Sequence, residues 1–511
     1  MNLRPGLLSL LALGAPAGAH AQSPPVKRAA ETITAADIRR RIFLIADDSM
    51  GGRNTPSPGL TRTAEYIAGE FRRFGLKPGG DSGSFLLNYP IVVRQILADR
   101  SQLNFTQVSG AERVTTTLAL GAAYLSGATS ADVKGGVVLL GGVVQADSLK
   151  PEDFKDRIVV YVPGAGTRPG RAAFRLYQHL GALGARGVVV VVNSDSLFGF
   201  WSANQGRPRM NVGDVAPAVP VVAIREATVL EQSPGAQDQF NELRAATGTV
   251  VNPLPDWEGA VTLRDTVLSA ESAPDVVGIL EGSDPVLKSE YVVFSAHMDH
   301  IGTAGQPGAQ CRPAGADSIC NGADDDGSGT VGVVELAQAF TRSGARPRRS
   351  IIFLTVSGEE HGLWGSDWFV NHPPVPLPQI VADLNADMIG RNWKDTIVAI
   401  GKEHSDLGAT LNRVNSAHPE LHMHAVDDRW PEENFYQRSD HYNFARKGVP
   451  ILFFFNGVHA DYHQATDSPD KIDAEKESRI VKLLFYLGQA VANAPERPKW
   501  VAESYKEIVQ P

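Results

Sequence analysis

From about residue 253 onward, apolar runs of six or seven residues alternate with longer stretches whose apolar residues recur every third or fourth position. YVVFSA (291–296), SIIFLTV (350–356), IVADLNA (380–386), TIVAIG (396–401) and PILFFFN (450–456) carry almost no polar alternation. They read as strands buried on both faces. Between them SGTVGVVELAQAF (328–340), LWGSDWFVN (363–371) and residues 405–417 read as helices. KESRIVKLLFYLGQAVANA (476–494) gathers Ile480, Leu483, Leu484 and Leu487 on one face, which should pack on the sheet. Strands alternating with amphipathic helices predict an α/β fold, a mixed, mostly parallel sheet sandwiched by helices.

The chain before residue 253 has a different texture. RTAEYIAGEFRRFGL (62–76) places Ala64, Ile67, Ala68, Phe71 and Leu76 on one helical face. Residues 109–252 are rich in valine and glycine, with VKGGVVLLGG (133–142), DRIVVYVPG (156–164) and VVVVVN (188–193) around a helix over 172–187. No catalytic constellation lies there. The expected organisation is an N-terminal part of a catalytic domain (33–108), an inserted β-rich domain (109–252) and the remainder of the catalytic domain (253–500), with 23–32 as a flexible lead-in. A length of 511 residues agrees with two or three domains. Residues 1–21 read as a signal peptide: Arg4 is the charged start, Leu7 to Leu13 the apolar stretch, and Ala19-His20-Ala21 the cleavage site. The mature chain is then expected to be exported, to the periplasm or beyond. No later stretch has eighteen uninterrupted apolar residues, so no stable membrane anchor is expected. A net charge of −9 without a long basic run argues against a nucleic-acid partner. Cys311 and Cys320 are the only cysteines. In an exported chain they read as a disulfide.

The polar residues fall where an α/β sheet would use them, beyond the carboxyl ends of its strands. His297, Met298, Asp299 and His300 follow the first strand; Glu359, Glu360 and His361 follow the second; Asp387 follows the third; and His463 closes the loop after 450–456. Asp324, Asp325 and Asp326 precede the helix at 328. A lone acidic run before a helix is often only a capping loop, and these acids do not alternate as in an EF-hand. Together, however, two imidazoles and three carboxylates are the donor set of zinc and related ions. They exceed what one tetrahedral ion with an open position takes, and suit two ions sharing one carboxylate. Chemistry alone leaves open which of the three aspartates is shared. His418, His422 and His424 read as surface histidines of a polar loop.

HMD, GADDDGSG, EEHGLWGS, NADMIG, YQRSDH and DYH, in this order over roughly residues 250–490, resemble the co-catalytic dizinc exopeptidases. That family includes bacterial leucyl aminopeptidase and glutamate carboxypeptidase II. The resemblance implies a zinc aminopeptidase-like fold with two zinc ions per chain: His297 and Asp387 on one, Glu360 and His463 on the other, and Asp325 bridging. It implies Asp299 as the carboxylate behind His297, Asp440 as a second supporting carboxylate, Glu359 as general base and Tyr436 as oxyanion donor. The inserted segment resembles a protease-associated domain. The implied activity is peptide hydrolysis through a water shared by the ions, most simply by an aminopeptidase acting on a peptide substrate. A carboxypeptidase, deacylase or glutaminyl cyclase would share the fold, and Arg391, Arg429 and Arg438 would favour a carboxylate-ended substrate if they converged. An inactive receptor-like homologue would have lost ligands, yet all five and Glu359 are present. The oligomeric state is not legible.

Overall fold

The computed structural model describes residues 24–510 apart from 127–129, 165–170, 204, 214–218, 343 and 345. The expected signal peptide lies outside the described residues. The chain forms two compact units: one runs to Tyr89 and resumes at Ala273, and the other is Pro90–Ser272. The expected boundaries near 109 and 252 are therefore corrected outward. Both fall inside strands of the second unit, Gln102–Ser109 and Thr249–Leu263, which pair with each other from Gln107 opposite Trp257 to Gln102 opposite Thr262. These strands alternate polar and apolar residues and lack the long apolar runs that mark buried strands.

In the first unit, Tyr291–His297 lies between Ser350–Val356 and Ile380–Ala386, parallel to both. Ile451–Phe454 extends the parallel core beside Ile380–Ala386. Thr396–Ile400 runs antiparallel beyond it, and residues 276–280 run antiparallel to Ser350–Val356. The sheet is thus mixed and parallel at its centre, as its unbroken apolar runs predict. Side chains alternate between its faces. Val293, Ile352 and Leu354 share a cluster with Phe369 and Phe444. Phe294 and Phe353 instead stack with each other and meet Phe340 of helix Gly327–Arg342. Helix Ala474–Asn493 buries Ile480, Leu483, Leu484 and Leu487. A Cβ at its Gly488 would stand 2.3 Å from the Phe294 ring, so glycine sets how closely this helix approaches.

Two expectations are corrected here. The lead-in at 23–32 is largely the helix Pro24–Ala30, with Ala29 and Ala30 buried, packed near helices Gly327–Arg342 and Ala474–Asn493. His418 is not a surface residue: it is buried, its ring stacked 3.7 Å from that of Tyr486. His422 and His424 are exposed. Cys311 and Cys320 form a disulfide. Among the described residues no helix is long and apolar enough to cross a membrane.

In the second unit, the described residues form an eight-stranded mixed sheet. Its centre, Ala131–Gly142, Arg157–Pro163, Gly187–Val192 and Val221–Arg225, is parallel. Helices Arg171–Ala182 and Ala236–Ala245 belong to the same unit.

One buried charge in the first unit's sheet yields a test. Asp383 is fully buried, and its Oδ1 accepts from Ser295 Oγ at 2.7 Å. Its Oδ2 has no partner among the described residues. Burial pushes its carboxyl up to about 8. A raised folded-state value means that the neutral form stabilises the fold below the unfolded value, near 3.8. That contribution is lost as pH rises through the folded value. Asp383→Asn should therefore matter little near pH 4 and raise Tm at pH 9 by roughly 2–4 °C, read by calorimetry at the two pH values.

Candidate metal centre

Each candidate ligand sits at the end of an element whose packing fixes it. His297 ends the strand Tyr291–His297, and Asp387 follows Ile380–Ala386 by one residue. Glu359 and Glu360 lie in the turn after Ser350–Val356, Asp325 lies before helix Gly327–Arg342, and His463 lies in the loop after Ile451–Phe454. These side chains converge. His297 Nε2 is 3.3 Å from Asp325 Oδ1 and 3.7 Å from Asp387 Oδ1. His463 Nε2 is 3.2 Å from Asp325 Oδ2 and 3.2 Å from Glu360 Oε2. Asp325 thus presents one oxygen to each imidazole.

The three consecutive aspartates divide into different jobs. Asp326 accepts from the backbone N–H groups of His297 (3.1 Å), Gly329 (2.8 Å) and Met388 (3.1 Å), tying three segments together. Asp324 accepts from Ser328 Oγ (2.9 Å) and the Gly390 N–H (2.7 Å). Asp325 alone faces both His297 and His463, and the Asp325–Asp326 peptide bond is cis. Behind the site the fully buried Arg53 donates to the carbonyls of Ile45, Met298, Asn321 and Gly322. Its guanidinium joins the loop after His297 to the loop before Asp325.

Asp299 stands where an imidazole-orienting carboxylate belongs. Its Oδ1 is 3.6 Å from His297 Nδ1 and accepts from the Glu359 N–H at 3.3 Å; its Oδ2 accepts from Thr55 Oγ1 at 2.9 Å. Asp387 is steadied by Ser439 Oγ at 2.9 Å. Asp440 is fully buried, and burial pushes it up to about 7 against the pull of His297 and Ser366.

One expected feature is corrected. Tyr436 is not at the site. It lies in the single turn Phe435–Gln437, with its ring packed edge-on against His404 (4.6 Å) and His441 (5.6 Å). That turn sends Phe435 to the cavity beside the ligands, and the tyrosine that reaches the cavity is Tyr462. Burial raises the Tyr462 phenol, and Asp325, Glu360, Glu359 and Asp387 add to the rise. Where the three arginines point, which the sequence leaves open, is set by separate partners. Arg391 pairs with Asp461 (2.9 Å) and Arg429 lies over Trp393, while Arg438 reaches the cavity rim.

Electrostatics favour a cation here. Burial raises Asp325, but His300, His297 and His463 more than reverse this and hold it well below its usual range. Burial and Asp325 raise Glu360, yet His300 and His463 bring it to about 2. Burial lowers His297, but Asp387, Asp299 and Asp325 carry it well above its usual value. Glu359 moves the other way: burial raises it well above an ordinary carboxyl, opposed by His297 and reinforced by Glu360, Asp440 and Asp387. Meanwhile Asp325 Oδ2, Glu360 Oε1 and Asp387 Oδ1 are buried without a hydrogen-bond donor. Buried carboxylate oxygens need hydrogen bonds or a cation. Among the described residues two clusters meet the ligand geometry, His297–Asp325–Asp387 and His300–Asp325–Glu360. The donors therefore fit metal ions, and the two groups have Asp325 in common. His300 has no assigned role in the sequence reading; the signal available was a further imidazole three residues after His297 at the same strand end.

An α/β sheet carrying paired carboxylate–imidazole clusters at its carboxyl edge is an architecture of metal-dependent hydrolases. Residues 275–488 match the model of Peptidase family M28. Among curated proteins it is 29% identical over 230 residues to a probable leucine aminopeptidase of Arthroderma otae, covering 43% of this chain and 58% of that one. It is 30% identical over 158 residues to leupeptin-inactivating enzyme 1 of Streptomyces exfoliatus, covering 30% and 34%. The chain thus spans little more than half the length of the first of these, and about a third of the second. A solved aminopeptidase from Aneurinibacillus sp. strain AM-1 is 17% identical, with 92% of this chain and 97% of that one aligned at a TM-score of 0.47.

Proposed function

We propose that the chain is an exported aminopeptidase holding two zinc ions, one on His297 and Asp387, the other on Glu360 and His463, with Asp325 between them. The observation that carries this is the meeting of four of these side chains around the fifth, Asp325, beside Glu359 and a cavity of mixed polar and apolar lining. Bound zinc supplies Lewis acidity and lowers the pKa of water at the site. The protein's own groups do the rest. Glu359, held in position by its N–H on Asp299, takes the proton from the attacking water and returns it to the leaving amine. Its raised affinity for a proton suits both halves of that task. The Tyr462 phenol, kept protonated, donates to the oxyanion. Asp299, through its backbone carbonyl 3.3 Å from His297 Nδ1 and its carboxylate 3.6 Å away, holds the ring in the orientation that points Nε2 at Asp325.

The cavity wall favours one kind of substrate. Met388, Phe435, Phe453, Phe455 and Val458 line it, so an N-terminal residue with an apolar side chain is the best fit. The relative named as a probable leucine aminopeptidase is consistent with this choice. With Arg438 the one arginine of the three at the rim, a carboxylate-ended substrate has little to bind. Residues 90–272 are proposed to be a protease-associated-type insertion.

A mixed library of free and N-acetylated peptides tests the assignment. Stepwise loss of apolar N-terminal residues from free peptides alone is expected, abolished by chelation and restored by zinc. Release of C-terminal residues, cleavage of the acetylated pool, or indifference to chelation would each refute it.

A further inference from the structure

His300 is an imidazole at the centre that the five-ligand assignment leaves without work. It is fully buried, and neither ring nitrogen has a hydrogen-bond partner among the described residues. An imidazole with two empty nitrogens in a dry place is costly unless something occupies one of them. Its Nδ1 lies 2.8 Å from Glu360 Oε1 and 3.7 Å from Asp325 Oδ2. At 2.8 Å a hydrogen bond between Nδ1 and Oε1 would be ordinary, yet the two atoms are not aligned as donor and acceptor. Close, unaligned lone-pair atoms indicate a shared third point.

The distances agree with that point being an ion. Donor atoms about 2.0–2.2 Å from one zinc stand about 2.8 Å apart when they subtend about 85°, and about 3.7 Å apart near 125°. The same holds for the two rings. His300 and His463 lie edge to face with centroids 5.7 Å apart. Two imidazoles on one zinc, each centroid about 3.2 Å from it, give that separation at an angle of about 125°.

The surroundings hold His300 in this pose. Its N–H donates to the Arg53 carbonyl at 3.3 Å. The Arg53 side chain in turn binds the carbonyls of Met298 and Gly322. The ring lies against Gly322, where a Cβ would stand 2.5 Å from its Cγ and where φ is +59°. Any side chain at 322 would push the imidazole out of the cluster.

We infer that His300 is a direct ligand of the zinc held by Glu360 and His463, making the two sites unequal: one imidazole on the His297 side and two on the other. The inference rests on the two-zinc reading. Its consequence is that the second site should bind more tightly and prefer nitrogen-loving ions.

X-ray absorption on the parent protein loaded with zinc tests this without any substitution. About 1.5 imidazoles per zinc are expected if His300 ligates, against about 1 if it does not. In His300→Ala, chelator competition should show one zinc site weakened by at least about tenfold, with the other within about threefold. Two zinc ions bound with about one imidazole each would overturn the His300 ligation and leave the two-zinc reading standing, even if the variant bound zinc less well. Unchanged affinity at both sites in His300→Ala would overturn it in the same way. A parent protein that takes up fewer than two zinc ions overturns the two-zinc reading and this inference together.

Discussion

Glu359→Gln is expected to lower kcat by about 10²–10⁴-fold, the range for losing a general base, while zinc content stays at the parent level. The glutamine keeps the size of the side chain and leaves the backbone N–H on Asp299 in place. What disappears is the ability to take a proton from water and carry it to the leaving amine. KM should change little, because Glu359 is not among the groups expected to hold the substrate's apolar side chain. Steady-state kinetics beside elemental analysis of the purified variant separate this outcome from a metal defect. Turnover near the parent rate would remove Glu359 from the chemistry.

Asp325→Asn should do something different and more severe. One Asp325 oxygen faces His297 at 3.3 Å and the other faces His463 at 3.2 Å, so its negative charge lies between the two proposed ions. Two dications about 3.5–4 Å apart repel strongly, and a neutral amide does not offset that. The variant is expected to hold one zinc ion or none and to lose at least about a thousandfold in kcat/KM, since both the Lewis acid and the activated water go with the metal. Asp324→Asn is the informative neighbour. Asp324 holds the Gly390 N–H and Ser328, so its loss should lower Tm more than zinc content. Equal zinc content in Asp325→Asn and the parent protein would defeat the shared-ligand assignment.

How much of this was legible before the structure depended on burial. The five apolar runs of the first unit became strands because residues such as Val292, Phe294 and Phe353 have nowhere to go but the interior. The strand ends then delivered His297, Glu360, Asp387 and His463 to one edge, as open α/β sheets do. The limits of the second unit were not legible. QLNFTQVS and ERVTTTLA are half-exposed strands with polar residues throughout, and no punctuation marks where one unit stops. Tyr436 was misplaced because one residue of rotation in a tight turn decides whether Phe435 or Tyr436 faces the cavity. The division of labour among Asp324, Asp325 and Asp326 depends on which backbone N–H groups lie nearby, and a linear string does not carry that. His300 was passed over for a related reason: its proximity to Glu360 is set by Arg53 and Gly322, which are distant in the chain from one or both of them.

Arg53 has a practical corollary for anyone shortening this polypeptide. The portion 275–488 looks self-sufficient by sequence similarity, yet its Met298, Asn321 and Gly322 carbonyls take their hydrogen bonds from an arginine more than two hundred positions upstream. Thr55, which anchors Asp299, comes from the same early stretch. A gene trimmed to the similar portion would encode every zinc-binding side chain and still leave their supporting loops with unsatisfied interior carbonyls. Such a truncated product should express poorly or bind zinc weakly, however complete its list of ligands.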